Sequence, residues 1–194
     1  MKSTTLNKRN LGVTIIIIGL IIILFIFGNS FQKRLRYTVL IQNNISSLSE
    51  YSELNGKLKY KLPSKWHVKR QDIFGRDIIC HTDFISDDNK VIGFFETWNF
   101  KGNLKEFLIN SKLISDKQNL YKTYSLNSIS IGQKNGYLLK YTITKPVGDS
   151  YVCNEYFIKD GDRFYRFSFF MRQSDFKDDM ETIFKAIVET LRYD

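Results

Sequence analysis

The sequence predicts an α+β fold, in which an antiparallel β-sheet is flanked by amphipathic helices and preceded by a single N-terminal transmembrane helix. Three observations support this prediction. Apolar residues recur at every second position in several segments between residues 58 and 172, as is typical of strands. Two other segments, around residues 107 and 183, have the helical period instead. A further segment near the N-terminus is apolar on every face.

The N-terminal segment has the length of a membrane span. Residues 11–27 carry no charge, and a helix continued to residue 31 would be about 31 Å long, enough to cross a bilayer. We therefore expect a basic tail over residues 1–10 and a transmembrane helix over residues 11–31. A cleaved signal peptide is the alternative, although its apolar part would be shorter and residues 28–30 match a cleavage site poorly. A buried core helix is disfavoured because the segment has no polar face.

The formal charge of +9 is concentrated around this predicted span. Residues 1–37 carry six basic and no acidic side chains, which leaves 23 basic against 20 acidic residues in the rest of the chain. A body with a net charge of +3 lacks the concentrated basic patch of a nucleic-acid-binding protein, so no nucleic-acid partner is expected. The six basic residues are Lys2, Lys8, Arg9, Lys33, Arg34 and Arg36.

The orientation of the span is not decided by the number of these basic residues, because three lie on each side. A short basic tail ahead of a first span usually stays in the cytoplasm, so we expect the globular body on the extracytoplasmic face. The opposite orientation is the alternative. Residues 33–36 mark the end of the span, and if they face a leaflet with anionic head groups their basic side chains would also contact those groups.

The globular domain is expected to begin near residue 56. Residues 32–55 should extend the helix and then form a spacer, because Asn, Ser and Glu replace apolar residues after residue 41. The domain, residues 56–194, opens with a strand that runs into KYKLPSKW at residues 59–66. Pro63 cannot donate to a ladder and should end this strand, and Trp66 should turn back onto the core as a structural anchor.

The remaining elements follow in order along the domain. Residues 75–84 and 90–100 alternate in polarity around the polar turn SDDNK, which predicts a hairpin. A short helix should follow, with Asn103 as its N-cap. Glycine-containing turns at residues 132–136 and 160–162 connect strands of a four-stranded meander. Residues 176–194 hold a broad apolar stripe that should pack on one face of the sheet.

This order of elements resembles that of PsbP-like domains, a superfamily that includes the Ran-binding Mog protein and many bacterial membrane or lipoprotein domains. The resemblance is carried by the Leu-Pro strand exit with Trp66, the helix NLKEFL, the glycine turn before GYLLKY, the hairpin NEYFIKDGDRFYRFSF and the terminal helix. It covers about residues 56–193 and implies an α/β/α sandwich with an antiparallel sheet. Because one fold hosts unrelated functions, it implies neither photosystem binding nor Ran binding.

The metal-ligating and thiol residues give weak candidate sites. His67, His81 and Asp83 are grouped, but a zinc site needs three or four convergent ligands, so we expect no metal and no other cofactor. Cys80 and Cys153 occupy strand positions and are expected to be small buried residues. A disulfide between them is the alternative, and it would require an oxidising compartment and neighbouring strands.

Two carboxylates lie on apolar faces of predicted strands. Glu96 shares its face with Trp98, and Glu155 also lies among apolar neighbours. Buried carboxylates are costly unless they are paired, so either these faces are partly solvated or Arg166 or Lys140 neutralises the charges. The functional alternative is that Glu96, Trp98 and Glu155 line a ligand or partner site.

The sequence contains no phosphate-binding glycine loop, nucleophile elbow or zinc-protease motif. We therefore expect a membrane-anchored, non-enzymatic binding or accessory domain on the extracytoplasmic face. Its expected partners are the lipid bilayer and either another envelope protein or a small ligand. The alternatives are a cytoplasmic-facing tether that recruits a partner, and an enzyme whose cleft uses Glu96 and Glu155.

Overall fold

A computed structural model describes residues 17, 18, 21, 22, 38–43, 45–72, 76–115, 120–144 and 148–193. The chain forms two compact units, Met1–Asn43 and Asn44–Asp194. The predicted basic tail, and most of the predicted membrane span at residues 11–31, lie outside the described residues. Across the described ranges, no helix combines the length and the hydropathy needed to cross a membrane. In the first unit residues 38–42 are helical.

The second unit consists mainly of antiparallel sheet. A seven-stranded sheet has the order β3-β4-β5-β9-β8-β7-β6, and a three-stranded sheet has the order β1-β2-β10. The strands are β1 Leu48–Glu53, β2 Leu58–Pro63, β3 His67–Gln71, β4 Ile78–Ile85, β5 Val91–Asn99, β6 Leu120–Ile131, β7 Lys134–Thr144, β8 Ser150–Asp160, β9 Arg163–Arg172 and β10 Arg192–Tyr193. Helix α1 is Leu104–Ser115 and helix α2 is Asp179–Val188.

The predicted antiparallel sheet is confirmed, including the β4–β5 hairpin and the meander from β6 to β9. Strand β9 pairs with β5 and thereby joins the hairpin to the meander. The two helices lie against opposite faces of the large sheet. The predicted α/β/α sandwich has helices on the faces of its sheet. Here strand β2 of the smaller sheet shares one face with α2, so the unit contains more strand than predicted.

The face of the sheet that α2 covers forms the main apolar core. Phe184 of α2 stacks on Phe169 of β9, with ring centroids 4.3 Å apart. The ring centroids of Tyr60 in β2 and Phe95 in β5 are 4.3 Å apart, and both side chains are fully buried. This core follows from the sequence pattern, since alternate residues of β5 and β9 project to the same side.

The globular unit begins at Asn44 rather than near residue 56. The last part of the predicted spacer is strand β1, which pairs with β2 from Leu48 opposite Pro63 to Glu53 opposite Leu58. The Thr82 hydroxyl donates to the buried Glu53 carboxylate at 3.1 Å. Serine and glutamate give LSEYSE little apolar alternation, so its pairing with β2 could not be read from its own pattern.

Strand β2 ends at Pro63, and the chain turns there into the core. Trp66 is 7% exposed and stacks on Phe84 with ring centroids 5.4 Å apart. The short edge strand β3 follows and pairs with β4, although the sequence pattern did not indicate it. Its solvent-exposed Lys69 and Arg70 suit an edge position, because charges there discourage pairing with other chains.

Helix α1 begins after Asn103, whose side-chain oxygen accepts hydrogen bonds from the backbone N–H groups of Lys105 at 3.0 Å and Glu106 at 3.3 Å. This is the predicted N-cap. The buried face of the helix carries Leu104 and Leu108. Its outer face is not polar throughout, because it also exposes Ile109, Leu113 and Ile114.

Candidate functional site

Helix α1 and the large sheet form a half-open pocket of about 180 Å³, which we call the α1 pocket. Aromatic side chains from the helix and from five strands form most of its wall, and charged side chains lie at its floor and rim. The lining residues are Trp98, Phe107, Leu108, Ser111, Lys112, Ser115, Tyr121, Tyr124, Leu139, Tyr141, Glu155, Phe157, Phe164 and Arg166.

Strand register brings the floor of the pocket together. Glu96 of β5 lies directly opposite Arg166 of β9, and Arg166 lies directly opposite Phe157 of β8. Directly opposed residues of antiparallel strands project to the same face, so Trp98 and Glu155 join this face as the next alternate residues of their strands. Polar and aromatic side chains from three neighbouring strands therefore meet under α1.

Arg166 connects the two buried carboxylates of this face. Its Nε donates to Glu155 Oε2 at 2.8 Å, its Nη2 lies 2.6 Å from the same oxygen, and its Nη1 donates to Glu96 Oε2 at 3.3 Å. The guanidinium also lies over the rings of Phe94 and Phe157, 4.8 and 5.4 Å from their centroids. Burial acts to lower the pKa of Arg166, but the charges of Glu155 and Glu96 outweigh it and raise that pKa.

Glu96 also accepts a hydrogen bond from Trp98 and is hydrogen-bonded to His81. Trp98 Nε1 donates to Glu96 Oε2 at 2.9 Å, and His81 Nδ1 lies 2.8 Å from Glu96 Oε1. The other ring nitrogen of His81, Nε2, lies 2.9 Å from Asp83 Oδ1. Partial burial acts to lower the pKa of His81, but the hydrogen bonds with Asp83 and Glu96 raise it overall. The imidazole is thus held between two carboxylates, which favour its protonated form.

Glu155 is also fully engaged. The Tyr141 hydroxyl donates to Glu155 Oε1 at 2.6 Å, while Arg166 occupies Oε2. Burial and the Glu155 charge raise the pKa of Tyr141, so the phenol stays protonated and keeps donating. Both oxygens of Glu155 at the floor, and both oxygens of Glu96 behind it, are therefore occupied by donors from the protein.

Among the described residues that line the pocket, Lys112 is a further cation, and it lies at the rim. Lys112 of α1 places its Nζ 4.8 Å from the ring centroid of Tyr124 and 5.8 Å from that of Tyr121, both on β6. The Tyr121 hydroxyl also forms a hydrogen bond with Ser115 at the end of α1. These contacts hold the C-terminal half of the helix to the edge of the sheet.

The residues singled out from the sequence are only partly brought together. Trp98 and Glu155 line the pocket, whereas Glu96 lies behind it and reaches it through Arg166 and Trp98. Of the two cations expected as partners, Arg166 forms ion pairs with both carboxylates, while Lys140 pairs with Glu181 of α2 at 2.5 Å.

Sequence reasoning missed the part of the pocket contributed by α1 and β6. These residues are Lys112, Ser111, Ser115, Tyr121 and Tyr124. The sequence pattern around these residues does not indicate a site, because they come close to Glu155 and Arg166 only when α1 packs across the sheet beside β6. The period-two pattern of β9 did contain one clue, since it placed Arg166 on the opposite face from the core residues Phe167 and Phe169.

The histidines do not form a metal centre. His67 is exposed on the edge strand β3, away from the His81 network, and both ring nitrogens of His81 are hydrogen-bonded to carboxylates. Among the residues with described positions, no group of three or more His, Cys, Asp or Glu side chains is arranged to hold a metal ion.

The two cysteines are free and buried, so the disulfide alternative is not realised in this fold. Cys80 faces α2 with Thr97, whereas Cys153 faces the α1 side with Glu155. Their strands are separated by β5 and β9, which corresponds to about 14 Å at the usual strand spacing, beyond the reach of a disulfide. Burial raises the pKa of the Cys80 thiol to about 11 and that of Cys153 to about 12, so neither is a ready nucleophile.

Comparison with protein-family models found no match, and comparison with curated proteins found none either. Among solved structures, cyanobacterial PsbP (CyanoP) from Synechocystis sp. PCC 6803 matches with a TM-score of 0.58 at 12% sequence identity. The match covers 77% of this chain and 94% of that chain. At this identity the likeness shows the fold alone.

Two other solved structures match less well. A protein from Bacteroides thetaiotaomicron has a TM-score of 0.49 at 16% identity, covering 75% of this chain and 48% of that one. A protein of unknown function from Pseudomonas aeruginosa has a TM-score of 0.46 at 12% identity, covering 77% of this chain and 99% of that one. The match to cyanobacterial PsbP, and not these two, shows that the globular unit has a PsbP-like fold, as the order of its sequence elements predicted.

Proposed function

We propose that this chain is a membrane-anchored, non-enzymatic binding module, displayed on the extracytoplasmic face, that holds a small ligand in the α1 pocket. The α1 pocket is the observation that carries the proposal. Ligand sites are typically concave, mostly apolar and provided with a few placed polar groups. The α1 pocket fits this description, with Trp98, Phe107, Phe157 and Phe164 in its wall and Lys112 at its rim.

The occupied carboxylates support binding rather than catalysis. A general acid or base must reach the substrate with an available oxygen. Glu96 accepts from His81, Trp98 and Arg166, and Glu155 accepts from Tyr141 and Arg166. An enzyme that used these carboxylates would first have to break the ion pairs that keep them stable under α1.

Binding can be tested with a ring-sized neutral probe. The chain contains two tryptophans, Trp98 in the pocket wall and Trp66 on the opposite face of the sheet. Fluorotryptophan labelling of the full chain in zwitterionic nanodiscs gives one fluorine resonance for each. Phenylethanol should shift the Trp98 resonance saturably and leave the Trp66 resonance in place.

Two variants on α1 serve as the comparison for this binding test. Ser111→Phe should fill the pocket and abolish the Trp98 shift, whereas Asn110→Phe, on the exposed side of the helix, should retain it. A Trp98 resonance that does not move with the probe, or that moves equally in Ser111→Phe, would argue against a binding pocket.

The membrane part of the proposal rests on the uncharged run at residues 11–27 and on the short basic tail before it. Protease treatment of intact cells or protoplasts should remove a tag placed after residue 194. If the tag survives until the membrane is permeabilised, the body lies in the cytoplasm and the chain is a cytoplasmic-facing tether instead.

A further inference from the structure

A second concave region lies on the opposite face of the large sheet from the α1 pocket. It is a half-open cleft of about 260 Å³ between strands β6, β7 and β8 and helix α2, and we call it the Asn154 cleft. Strand register builds it, because Ser125 of β6, Lys140 of β7 and Asn154 of β8 lie directly opposite one another and project to one face. Glu181 of α2 completes the lining beside them.

Asn154 lies at the inner end of this cleft and is buried without hydrogen-bond partners for its side chain. Burial increases inward from Ser125, which is exposed, through the half-buried Lys140 to Asn154, which is 1% exposed. Within the part of the chain that the structure describes, neither Oδ1 nor Nδ2 of Asn154 is hydrogen-bonded. Buried polar groups are nearly always paired, because an unpaired one destabilises the fold. The amide therefore points to a ligand group that completes its hydrogen bonds.

The polar side chains around Asn154 pair with one another instead of with its amide. Lys140, directly opposite Asn154, donates from Nζ to Glu181 Oε2 at 2.5 Å. The Thr123 hydroxyl donates to the Thr142 hydroxyl at 3.0 Å, and both threonines line the cleft. The Asn154 amide is thus the polar group of the cleft that a ligand would satisfy.

The chemistry of an amide side chain limits which ligand group can satisfy it. Asn154 presents an acceptor, Oδ1, and a donor, Nδ2, side by side. A carboxylate only accepts and would leave Oδ1 unpaired, whereas an amidinium only donates and would leave Nδ2 unpaired. A trans peptide bond directs its N–H and C=O to opposite sides, so it cannot pair with both atoms. A primary carboxamide carries a donor and an acceptor on one side and in one plane, and it can form two parallel hydrogen bonds.

We propose that the Asn154 cleft is a second binding site, which takes a small neutral compound by pairing its primary carboxamide group with Oδ1 and Nδ2 of Asn154. Ser125 and the Lys140–Glu181 ion pair, nearer the solvent, would contact the rest of the compound, which is therefore expected to be polar. The site lies on the other face of the sheet from the α1 pocket and does not depend on the function proposed for that pocket.

Three probes of the same planar shape test the ligand class. At neutral pH isobutyramide offers a donor and an acceptor, isobutyrate offers acceptors only, and isobutyramidine offers donors only. Each is titrated into the full chain in zwitterionic nanodiscs, with carbon-13 labels on the valine methyl groups. Val152 lines the cleft and reports binding, and the fully buried Val188 of α2 reports whether the protein is folded. Isobutyramide should shift the Val152 resonances saturably and bind at least about fivefold more tightly than either ion.

Variants of two asparagines test the assignment of Asn154. Asn154→Ala leaves room in the cleft but removes the amide, so it should bind isobutyramide and isobutyrate with equal affinity. Asn154→Leu fills the same space with an apolar side chain and should abolish the Val152 shift. Asn110→Ala removes an exposed amide from α1, on the other face of the sheet, and should retain the wild-type preference for isobutyramide.

Each result bears on one part of this inference. Wild-type binding of isobutyrate or isobutyramidine as tight as that of isobutyramide would overturn the carboxamide class, and so would tighter binding of propane-1,2-diol. Retention of the isobutyramide preference in Asn154→Ala would overturn the assignment of Asn154. If none of these compounds moves the Val152 resonances, solvent water alone occupies the cleft and the second site does not exist. The α1 pocket is tested separately by the Trp98 resonance.

Discussion

The Arg166 Nη2 lies 2.6 Å from the Glu155 carboxylate on the neighbouring strand. The same guanidinium reaches Glu96 on the strand at its other side, since β9 lies between β5 and β8. Glu96 and Glu155 are 5% and 2% exposed, so one guanidinium is shared by two buried carboxylates. The floor of the α1 pocket therefore depends on one residue.

Arg166→Met should destabilise the protein by about 3–5 kcal/mol, because removing one partner of a buried ion pair leaves charge without compensation. Denaturant unfolding at neutral pH measures the change. Arg172→Met is the control, since Arg172 lies on the same strand but is exposed, and it should keep the wild-type unfolding midpoint. An Arg166→Met midpoint equal to that of wild type would mean that water, rather than Arg166, stabilises the two carboxylates.

Trp66→Ala should cost about 3–5 kcal/mol of unfolding free energy, as expected for truncation of a buried aromatic side chain. Trp66 is 7% exposed and stacks on Phe84. The neighbouring substitution His67→Ala, at an exposed position, should change the unfolding free energy little. A loss below about 1 kcal/mol for Trp66→Ala would contradict its role as an anchor.

A fragment of residues 44–194 should unfold cooperatively, and one of residues 56–194 should be less stable. The shorter fragment lacks β1, which pairs along the whole of β2 and supplies the buried Glu53. Loss of the β1 hydrogen bonds should cost at least about 2 kcal/mol, at roughly 1 kcal/mol for each net bond. Thermal melts of both fragments measure the difference, and equal melting temperatures would assign residues 44–55 to a spacer after all.

Cys80 and Cys153 should both remain free thiols in protein exposed to oxidant, because they lie on opposite faces of the sheet with two strands between them. Mass spectrometry after alkylation counts the thiols. In the native state both should react slowly, since burial keeps them protonated, and urea should make both react fast. An intramolecular disulfide in native protein would be incompatible with this strand order.

The His81 interactions should stabilise the protein most at low pH. The folded-state pKa of His81 is raised above its unfolded value of about 6.5, so the contribution is complete below that pH and is lost as pH rises through the folded-state pKa. The charged groups facing the imidazole are Asp83 and Glu96, with Arg166 beyond Glu96.

The difference in unfolding free energy between wild type and His81→Asn measures this contribution. It should shrink as the pH is raised from about 5.5 to about 9, because the imidazolium then loses its proton. Groups that titrate equally in both proteins cancel in the difference. A difference that stays constant or grows with pH would show that His81 is not held as a cation.

Most strands could be predicted because burial on one face of a sheet imposes period two on the sequence. In β9, Tyr165, Phe167 and Phe169 alternate with Arg166 and a serine, and the structure buries the aromatic set against β10, β2 and α2. Where burial imposes no such period, prediction failed. Strand β1 is formed by Ser, Glu and Tyr residues whose pairing depends on β2 lying beside it.

From the sequence, single residues of the candidate site could be identified, but not the contacts between them. Periodicity placed Glu96 with Trp98, and it placed Glu155 on an apolar face, because these neighbours are close in sequence. It could not pair Glu96 with Glu155 through Arg166, since strand order, not spacing along the chain, puts β9 between β5 and β8.

The sequence by itself determined the alternating strands, the two helices of the globular unit and the Pro63 strand exit, because propensity, period and capping act over a few neighbouring residues. Only the tertiary structure decided which cation pairs with the carboxylates, that the two cysteines stay apart, and that Lys112 lies over Tyr124 at the rim of the α1 pocket. These are contacts between residues far apart in sequence. They depend on strand order and on the path of α1 across β6, which no local pattern encodes.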